Sequence, residues 1–297
     1  MAPTRATPSI VIASNRDRAL LGRCLEALQS QAVTHHAEVL VARAGLAADA
    51  ESLSARFPAV RFVAAEAGAA IPRLRGLGLA AATGDPVLLT EDHCVPAADW
   101  VARILPAATA GVMVIGGGMA TAPAGRPLDR AAYLADYGLF SHSRPWDPES
   151  SGLITAANVA YARPVVRDVA EWYLKGQWEN VAHDRLRARG ATFRFVPEAR
   201  VVHDQRYRFR TFWWDRFSHG YDYARARLTE APNAHRWIRC VGAPLVGPVL
   251  LWRIARAAFR ENRVGFLLAL PYTVGFLSGW ATGEAVGYFR GPWPDPA

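Results

Sequence analysis

Lysine is almost missing from this chain of 297 residues. Lys175 stands alone among 34 basic residues, so arginine carries the net charge of +8. Such a balance fits nucleic acid, an anionic lipid surface or a phosphorylated substrate, and guanidinium suits bidentate phosphate contact better than ammonium does. Cysteine is scarce too. Cys24, Cys94 and Cys240 are scattered and odd in number, which argues against a disulfide framework or a zinc-binding set and fits a reducing compartment. The first apolar run, Ile10–Ala13, is too short for a secretory h-region, so no leader is expected. Internal repeats and low-complexity tracts are lacking. What is present, 51% hydrophobic and 20% charged residues, suffices for a full core and excludes a disordered or fibrous chain.

The stretch Thr83–Pro96 organises the rest. It has a turn at Gly84-Asp85-Pro86, an apolar run Val87–Leu89, then Glu91-Asp92-His93, and a stop at Pro96. An apolar run bounded by turn signals predicts a buried strand. Its three polar side chains then fall at the carboxyl edge, where open α/β sheets bind ligands. Two carboxylates and an imidazole there suit a divalent cation and, through it, a diphosphate. A solvated polar strand end is the other reading.

Around that strand the pattern alternates. Ser9–Ser14, Glu38–Val41 and Val60–Ala64 read as strands. Helices are predicted from Asp17 as N-cap, near 50–57, over Ile71–Ala82, over Trp100–Leu105 and over Trp178–Gly190. Val112–Gly116 reads as a strand ending in a glycine turn at 116–118, and Pro123–Ser151 as a long irregular loop. Phe193–Val202 holds one or two strands ending at His203. The rhythm predicts an α/β fold, a Rossmann-like, mostly parallel sheet with helices on both faces. Gly76-Leu77-Gly78 does not follow a strand directly and reads as close helix packing.

The last third differs. Over Arg206–Arg227, Phe209, Phe212, Trp213, Phe217, Tyr221 and Ala224 share one helical face beside flanking arginines, as in an interfacial helix. A helix packed on its own protein is the alternative. Cys240–Trp252 is uncharged but too short to span a bilayer, whereas Val264–Gly283 runs 20 residues without a charge, long enough to span or to form a hairpin. Arg253, Arg256, Arg260 and Arg263 lie between them, on the side the positive-inside rule assigns to the cytoplasm. The expected partition is a domain over 1–205, an amphipathic segment over 206–235 and membrane-associated helices over 236–297. The expected place is the cytoplasmic face of the inner membrane, with a membrane partner and no nucleic acid.

Five segments, in order, resemble the catalytic domain of family 2 glycosyltransferases, which have the GT-A fold. They are Ser9–Arg16, Arg73–Gly84, Glu91-Asp92-His93 with Pro96 and Trp100, Ala157-Asn158-Val159-Ala160-Tyr161, and Trp178-Glu179-Asn180 with Arg185-Leu186 and Gly190. The resemblance implies donor contacts from Ala13, Ser14, Asn15, Arg75, Glu91 and Asp92, and an acceptor side at Asn158 and Trp178. It implies Mn²⁺ or Mg²⁺ held by Asp92, His93 and His203, and Glu179 as the general base of an inverting displacement. The donor would be a UDP- or GDP-sugar, the acceptor lipid- or polyisoprenoid-linked. Arg73 and Arg163 are further candidates for the diphosphate. The chain departs from the pattern after the second strand, where Ala42-Arg43-Ala44-Gly45 stands in place of an acidic pair, and in the Glu-Asp-His variant of the metal motif. Two rivals remain open at this stage: nucleotidyl transfer, against which the lack of a Gly-rich phosphate loop counts, and a non-catalytic scaffold.

Overall fold

The computed structural model describes residues 7–46, 50–122, 125–143, 153–230 and 235–292. It divides into two units, Met1–Ala120 with Phe140–Gln205, and Thr121–Leu139 with Arg206–Ala297.

The first unit is built on a sheet whose strands are β1 (Ser9–Ser14), β2 (Glu38–Ala44), β3 (Val60–Ala65), β4 (Val87–Glu91), β5 (Cys94–Pro96), β6 (Val112–Thr121), β7 (Val159–Tyr161) and β8 (Thr192–His203). Their order is β3-β2-β1-β4-β7-β6-β8-β5. The first four are parallel; β4 with β7, β6 with β7, and β5 with β8 are antiparallel. The helices of this unit are α1 (Arg18–Thr34), α2 (Ala50–Arg56), α3 (Ile71–Ala81) and α4 (Trp100–Ile104), followed after an excursion by α6 (Arg163–Leu174) and α7 (Glu179–Ala188). That excursion is α5 (Pro127–Tyr137), which belongs to the second unit.

Local chemistry explains most of these elements. The Asp17 carboxylate accepts from the amides of Ala19 and Leu20 and caps α1. Prolines stand in the first turns of α3 and α6, where a missing N–H costs nothing. Val11, Leu40, Val87 and Leu89 share a core with Leu79, Val169, Tyr173 and Leu186, and strand alternation sends Ile10 and Ile12 to the opposite face. A Cβ on Gly76 would lie 2.8 Å from Leu174 Cγ and 2.9 Å from Ala170 O, so the glycines of α3 serve close packing.

Two expectations give way. The glycine triplet at 116–118 is no turn: β6 runs straight through it to Thr121. Close neighbours explain the glycines, since a Cβ on Gly116 would meet Ile154 at 2.6 Å and one on Gly117 would meet Asn158 Oδ1 at 2.5 Å. Nor is 123–151 wholly irregular, because α5 occupies its middle; residues 123–124 and 144–152 lie outside the described residues.

The second unit is helical. It comprises α5, α8 (Phe209–Glu230), α9 (Arg236–Gly242) and α10 (Val246–Arg290). Asn262, at φ −157° and ψ 90°, breaks α10 into two arms. Cys240 Sγ donates to Ala285 O, Gly247 lies opposite Leu277, and Phe259 packs against Phe266 at 5.3 Å, so α9 and the first arm run back along the second. The helical run Arg236–Arg290 is long and apolar enough to cross a membrane by length and composition.

The aromatic face of α8 is not free. Phe209 and Phe212 pack on Phe276, with ring centroids 5.1 and 4.6 Å apart. Beyond them α8 lies on a glycine at every fourth position of α10. A Cβ on Gly279 would stand 2.9 Å from Trp213 O, on Gly283 2.8 Å from the Phe217 carbonyl carbon, and on Gly287 2.6 Å from Tyr221 O. Small residues at this spacing let two helix backbones approach closely. The face expected at a membrane interface is therefore an internal packing face.

Candidate active site

The polar residues gather at the carboxyl edge of β1, β2 and β4. Glu91 ends β4, and Asp92 and His93 form the turn into β5. Cys94 registers against His203 on β8, and the Asp204 amide donates to His93 O at 3.0 Å. That register brings His203 to His93, ring centroids 5.2 Å apart and nearly perpendicular. Two residues 110 apart in sequence thus meet at one edge.

Asp92 is wholly buried and occupied. Its amide donates to Ala13 O at 3.1 Å. Its Oδ2 accepts from Ser14 Oγ at 2.9 Å and from the Arg16 amide at 2.8 Å, while Oδ1 lies 3.4 Å from His93 Nδ1. Asp92 therefore fixes the end of β1. Arg43, standing where an acid was expected, is also buried and donates to Ser14 Oγ at 2.7 Å and to Arg16 O at 3.0 Å. Ala13 and Ser14 are consumed by the same turn, and of the three residues there only Asn15 is exposed.

Arg75, from α3, is the centre of the charge network. It donates to Glu91 Oε1 and, at 2.8 Å, to Glu179 Oε2 on the first turn of α7. Its guanidinium carbon lies 5.6 Å from the ring centres of both Tyr173 and Trp178. Its Nε is buried without a hydrogen-bond partner. Burial alone would raise the Glu91 carboxyl, but Arg75, and then His93, outweigh it and hold that carboxyl below its usual range. Burial likewise opposes charge on Arg75, and Glu179 and Glu91 overcome it, raising the guanidinium further.

The two histidines differ. Burial, with His93 and Arg16 adding to it, pushes His203 well below its ordinary value, leaving the neutral imidazole that can ligate a cation. Burial works against charge on His93 as well, but Cys94, Asp92 and Glu91 outweigh it and push His93 up. His93 Nε2 lies 3.5 Å from Glu91 Oε2. Among the described residues no three His, Cys, Asp or Glu side chains converge on one point as a ready-made metal cage. The nearest candidates are His93 Nε2, 3.5 Å from Glu91 Oε2, and the His203 ring, whose centre lies 5.2 Å from that of His93. Such a set fits Mn²⁺ or Mg²⁺ only when substrate oxygens and water supply the remaining positions, which is the usual habit of these ions with phosphates.

The structure brings Ser14, Arg75, Glu91, Asp92, His93, Glu179, Trp178 and His203 into one neighbourhood. It does not place Asn158 or Arg163 there as ligand groups. Asn158 is fully buried; its Nδ2 donates to Gly118 O and Ala199 O, and its Oδ1 accepts from Trp100 Nε1 at 2.8 Å. With both amide hydrogens donated and its oxygen taken by the indole N–H, it stitches β6, β8 and α4 together, and its full burial keeps it from an acceptor. Arg163 donates to Ala82 O and Gly84 O at the far edge of the sheet, beside a cavity of about 390 Å³ that includes Thr7 and Glu38. Arg73 pairs with Glu66 on the surface. Sequence reasoning missed a buried chain beneath Glu179: Tyr161 OH lies 2.9 Å from His183 Nε2 and 3.1 Å from Tyr173 OH. The signal was His183 four residues after Glu179, one turn along the same helix.

Glu91, Asp92, His93 and His203 are each at most 5% exposed, whereas the Glu179 side chain is 19% and Trp178 41% exposed. The open side of the cluster is thus the start of α7.

No family model and no curated protein matches the chain. Among solved structures, the mannosyltransferase PcManGT from Pyrobaculum calidifontis in complex with GDP-Man and Mn²⁺ superposes with a TM-score of 0.57 at 16% identity, over 95% of this chain and 88% of that one. GalNAc-T7 with UDP, GalNAc and Mn²⁺ gives 0.46 at 15% identity, over 68% of this chain and 44% of that one. Glucosyl-3-phosphoglycerate synthase from Mycobacterium tuberculosis, with Mn²⁺, UDP-glucose and glycerol 3-phosphate, gives 0.43 at 16%, over 68% and 73%. The likeness to PcManGT shows that the fold is GT-A.

Proposed function

We propose that this chain is a glycosyltransferase that moves a sugar from a UDP- or GDP-sugar to an acceptor hydroxyl by a single inverting displacement. The observation that carries the reading is the pairing of His93 with His203 at the carboxyl edge of a GT-A sheet, with Glu179 linked to the same cluster through Arg75. It is supported by PcManGT, described with GDP-Man and Mn²⁺.

His203 would hold a divalent cation, joined by His93 once the cation displaces the proton that Glu91 and Asp92 favour on it, with Glu91 nearby and the donor's diphosphate as the anion the cation serves. Asp92 moves from ligand to anchor in this reading, because Ser14 and Arg16 use one of its oxygens. When bound, the cation supplies neutralisation of charge on the leaving diphosphate. Glu179 Oε takes the proton from the acceptor hydroxyl, on the open side of the cluster, where Trp178 offers an aromatic face to a sugar or lipid headgroup. Arg75 fixes the orientation of Glu179 and balances the negative charge beside it. The acceptor in this reading is lipid-linked, for instance a polyisoprenoid, and presented at the cytoplasmic face of the inner membrane; the apolar second unit supports this.

One observation favours the non-catalytic rival: both Asp92 and Glu179 have internal partners. The test measures thermal stabilisation by UDP or GDP with and without Mn²⁺, then release of nucleoside diphosphate from a donor panel with membrane lipid extract. Wild-type protein should show metal-coupled nucleotide binding and turnover. His93→Ala and His203→Ala should lose the coupling, while Glu179→Gln should keep it and lose turnover. Binding without turnover toward any donor would establish the scaffold instead, and no nucleotide binding would end both readings.

A further inference from the structure

The second unit offers an exposed apolar stripe. Trp237, Val241, Leu245, Val249 and Trp252 recur at three- or four-residue spacing along α9, the 3-10 turn Ala243–Leu245 and the first arm of α10, and each is more than half exposed. Leu268 on the second arm is as exposed. A soluble surface seldom leaves so long an apolar line uncovered.

The charge around the stripe has one sign. Between 236 and 263 stand six arginines and a single acid, Glu261. Arg236 lies over Trp237, Arg256 over Trp252 and Arg263 over Phe259, at 5.0, 4.9 and 5.5 Å from the ring centres. Arg253, Arg256, Arg260 and Arg263 form no ion pair among the described residues. Aromatic rings with guanidinium groups laid on them suit the boundary between acyl chains and anionic headgroups.

The packing decides how the stripe meets a bilayer. Crossing the hydrocarbon layer takes roughly 20 residues of helix. In the second arm, Gly279, Gly283 and Gly287 are covered by α8, which carries Asp215, Arg216, Asp222 and Arg225. Toward the break at Asn262, Gly265 and Phe266 adjoin Arg130 and Tyr133 of α5, which also carries Asp129 and Asp136. Arg216 pairs with Asp136 between those two helices and stacks on Trp280. No stretch of the arm long enough to span is free of charged helices packed against it. Spanning would immerse those ions or tear α8 from its glycines, and buried ions in hydrocarbon are costly.

We infer that α9 and α10 dock in the plane of one leaflet of an anionic phospholipid bilayer, stripe down and arginines at the headgroups, without crossing it. This rests on the membrane-proximal part of the reading above, and of the two courses left open for Val264–Gly283, spanning or entering, it takes neither as a crossing.

The full chain is mixed, without detergent, with preformed vesicles of phosphatidylcholine alone or with a quarter phosphatidylglycerol, then floated on a density gradient. It should float with the anionic vesicles, bind the neutral ones far more weakly, and come off in high salt. Arg253→Gln with Arg256→Gln should lower the partition constant about thirtyfold, ~1 kcal/mol per arginine. Val241→Glu should abolish flotation while circular dichroism and the melting curve stay unchanged. Asn262→Cys, in a Cys240→Ser background, should be fully labelled by a membrane-impermeant maleimide on vesicles. Equal binding to neutral and anionic vesicles, labelling of only half the sites after detergent reconstitution with no spontaneous docking, or a dimer that buries the stripe in place of lipid, would each overturn the inference. Nucleotide binding and nucleoside diphosphate release, measured on the same protein without vesicles, report separately on glycosyl transfer.

Discussion

Arg75 donates to Glu179 across 104 residues of chain, and its other amino group holds Glu91. One buried cation thus ties the strand that leads into the proposed cation site to the helix that carries the proposed base. Removing one partner of a buried pair leaves the others uncompensated, at a cost of roughly 3–5 kcal/mol. Arg75→Ala should lose about that much in urea unfolding, less whatever solvent reaches Glu179. In a double-mutant cycle with Glu91→Gln the losses should be strongly non-additive, because the second substitution removes a charge the first had stranded. A loss under about 1 kcal/mol with additive effects would mean that no such network forms in solution.

Asn158 provides a second test, because its residue type resembles an acceptor contact and its bonds make it a structural clamp. Asn158→Ala would leave Gly118 O, Ala199 O and Trp100 Nε1 unmet in the interior. Unsatisfied buried groups cost about 1–3 kcal/mol each, partly offset by relaxation. The expected result is a loss of about 3 kcal/mol or more with nucleotide binding intact in whatever protein remains folded. Full stability combined with a raised KM for the acceptor would restore the ligand role.

The difference between those two residues shows what a sequence can disclose. The cap at Asp17, the strand Ser9–Ser14 and the polar group after Leu89 are local, and local spacing revealed them. The sheet edge followed from alternation of strands and helices, so Glu91, Asp92 and His93 were placed with the fold. Asn158 is clamped by residues 40 and 41 positions away, and its role depends on a register that spacing does not contain. Gly116–Gly118 read as a turn because glycine signals freedom; here it signals crowding by Ile154, Asn158 and His142. Helix α5 was hidden behind Pro127, which looks like a breaker and in fact sits in the helix's first turn. Arg43 was visible only as a missing acid, and the structure shows it holding the turn after β1.

His183 makes a prediction about pH. Burial pushes it from 6.5 down to about 4, against the opposing charge of Glu179. The unfolded chain takes up this proton near 6.5, the folded one only near 4, so the unfolded state binds more protons in between. Stability from this group is therefore complete above pH 6.5 and is lost as pH falls toward 4. Between neutral pH and pH 5 the loss should be about 2 kcal/mol. His183→Gln should lose stability at pH 7, through the bond to Tyr161, and show a shallower decline on acidification. Parallel curves for wild type and variant would place the titration elsewhere.

Gly283 reverses a familiar sign. In an exposed helix, alanine in place of glycine gains roughly 1 kcal/mol from lost chain entropy. At Gly283 the new methyl would fall 2.8 Å from the Phe217 carbonyl carbon and 3.0 Å from its Cα, both backbone atoms of α8 that cannot turn aside. Gly283→Ala should therefore force the helices apart and cost about 2–3 kcal/mol, in the range of overpacked cores. Gly242 closes α9 with nothing within 4 Å of a Cβ built on it and a helical backbone. Gly242→Ala should be neutral or slightly stabilising in the same thermal melts. Because α8 brings Trp213 and Phe217 onto the same line of glycines, Gly279→Ala should resemble Gly283→Ala. If all three behaved alike, close backbone approach would not be what joins α8 to α10, and α8 could leave the second arm free to cross a bilayer at little cost.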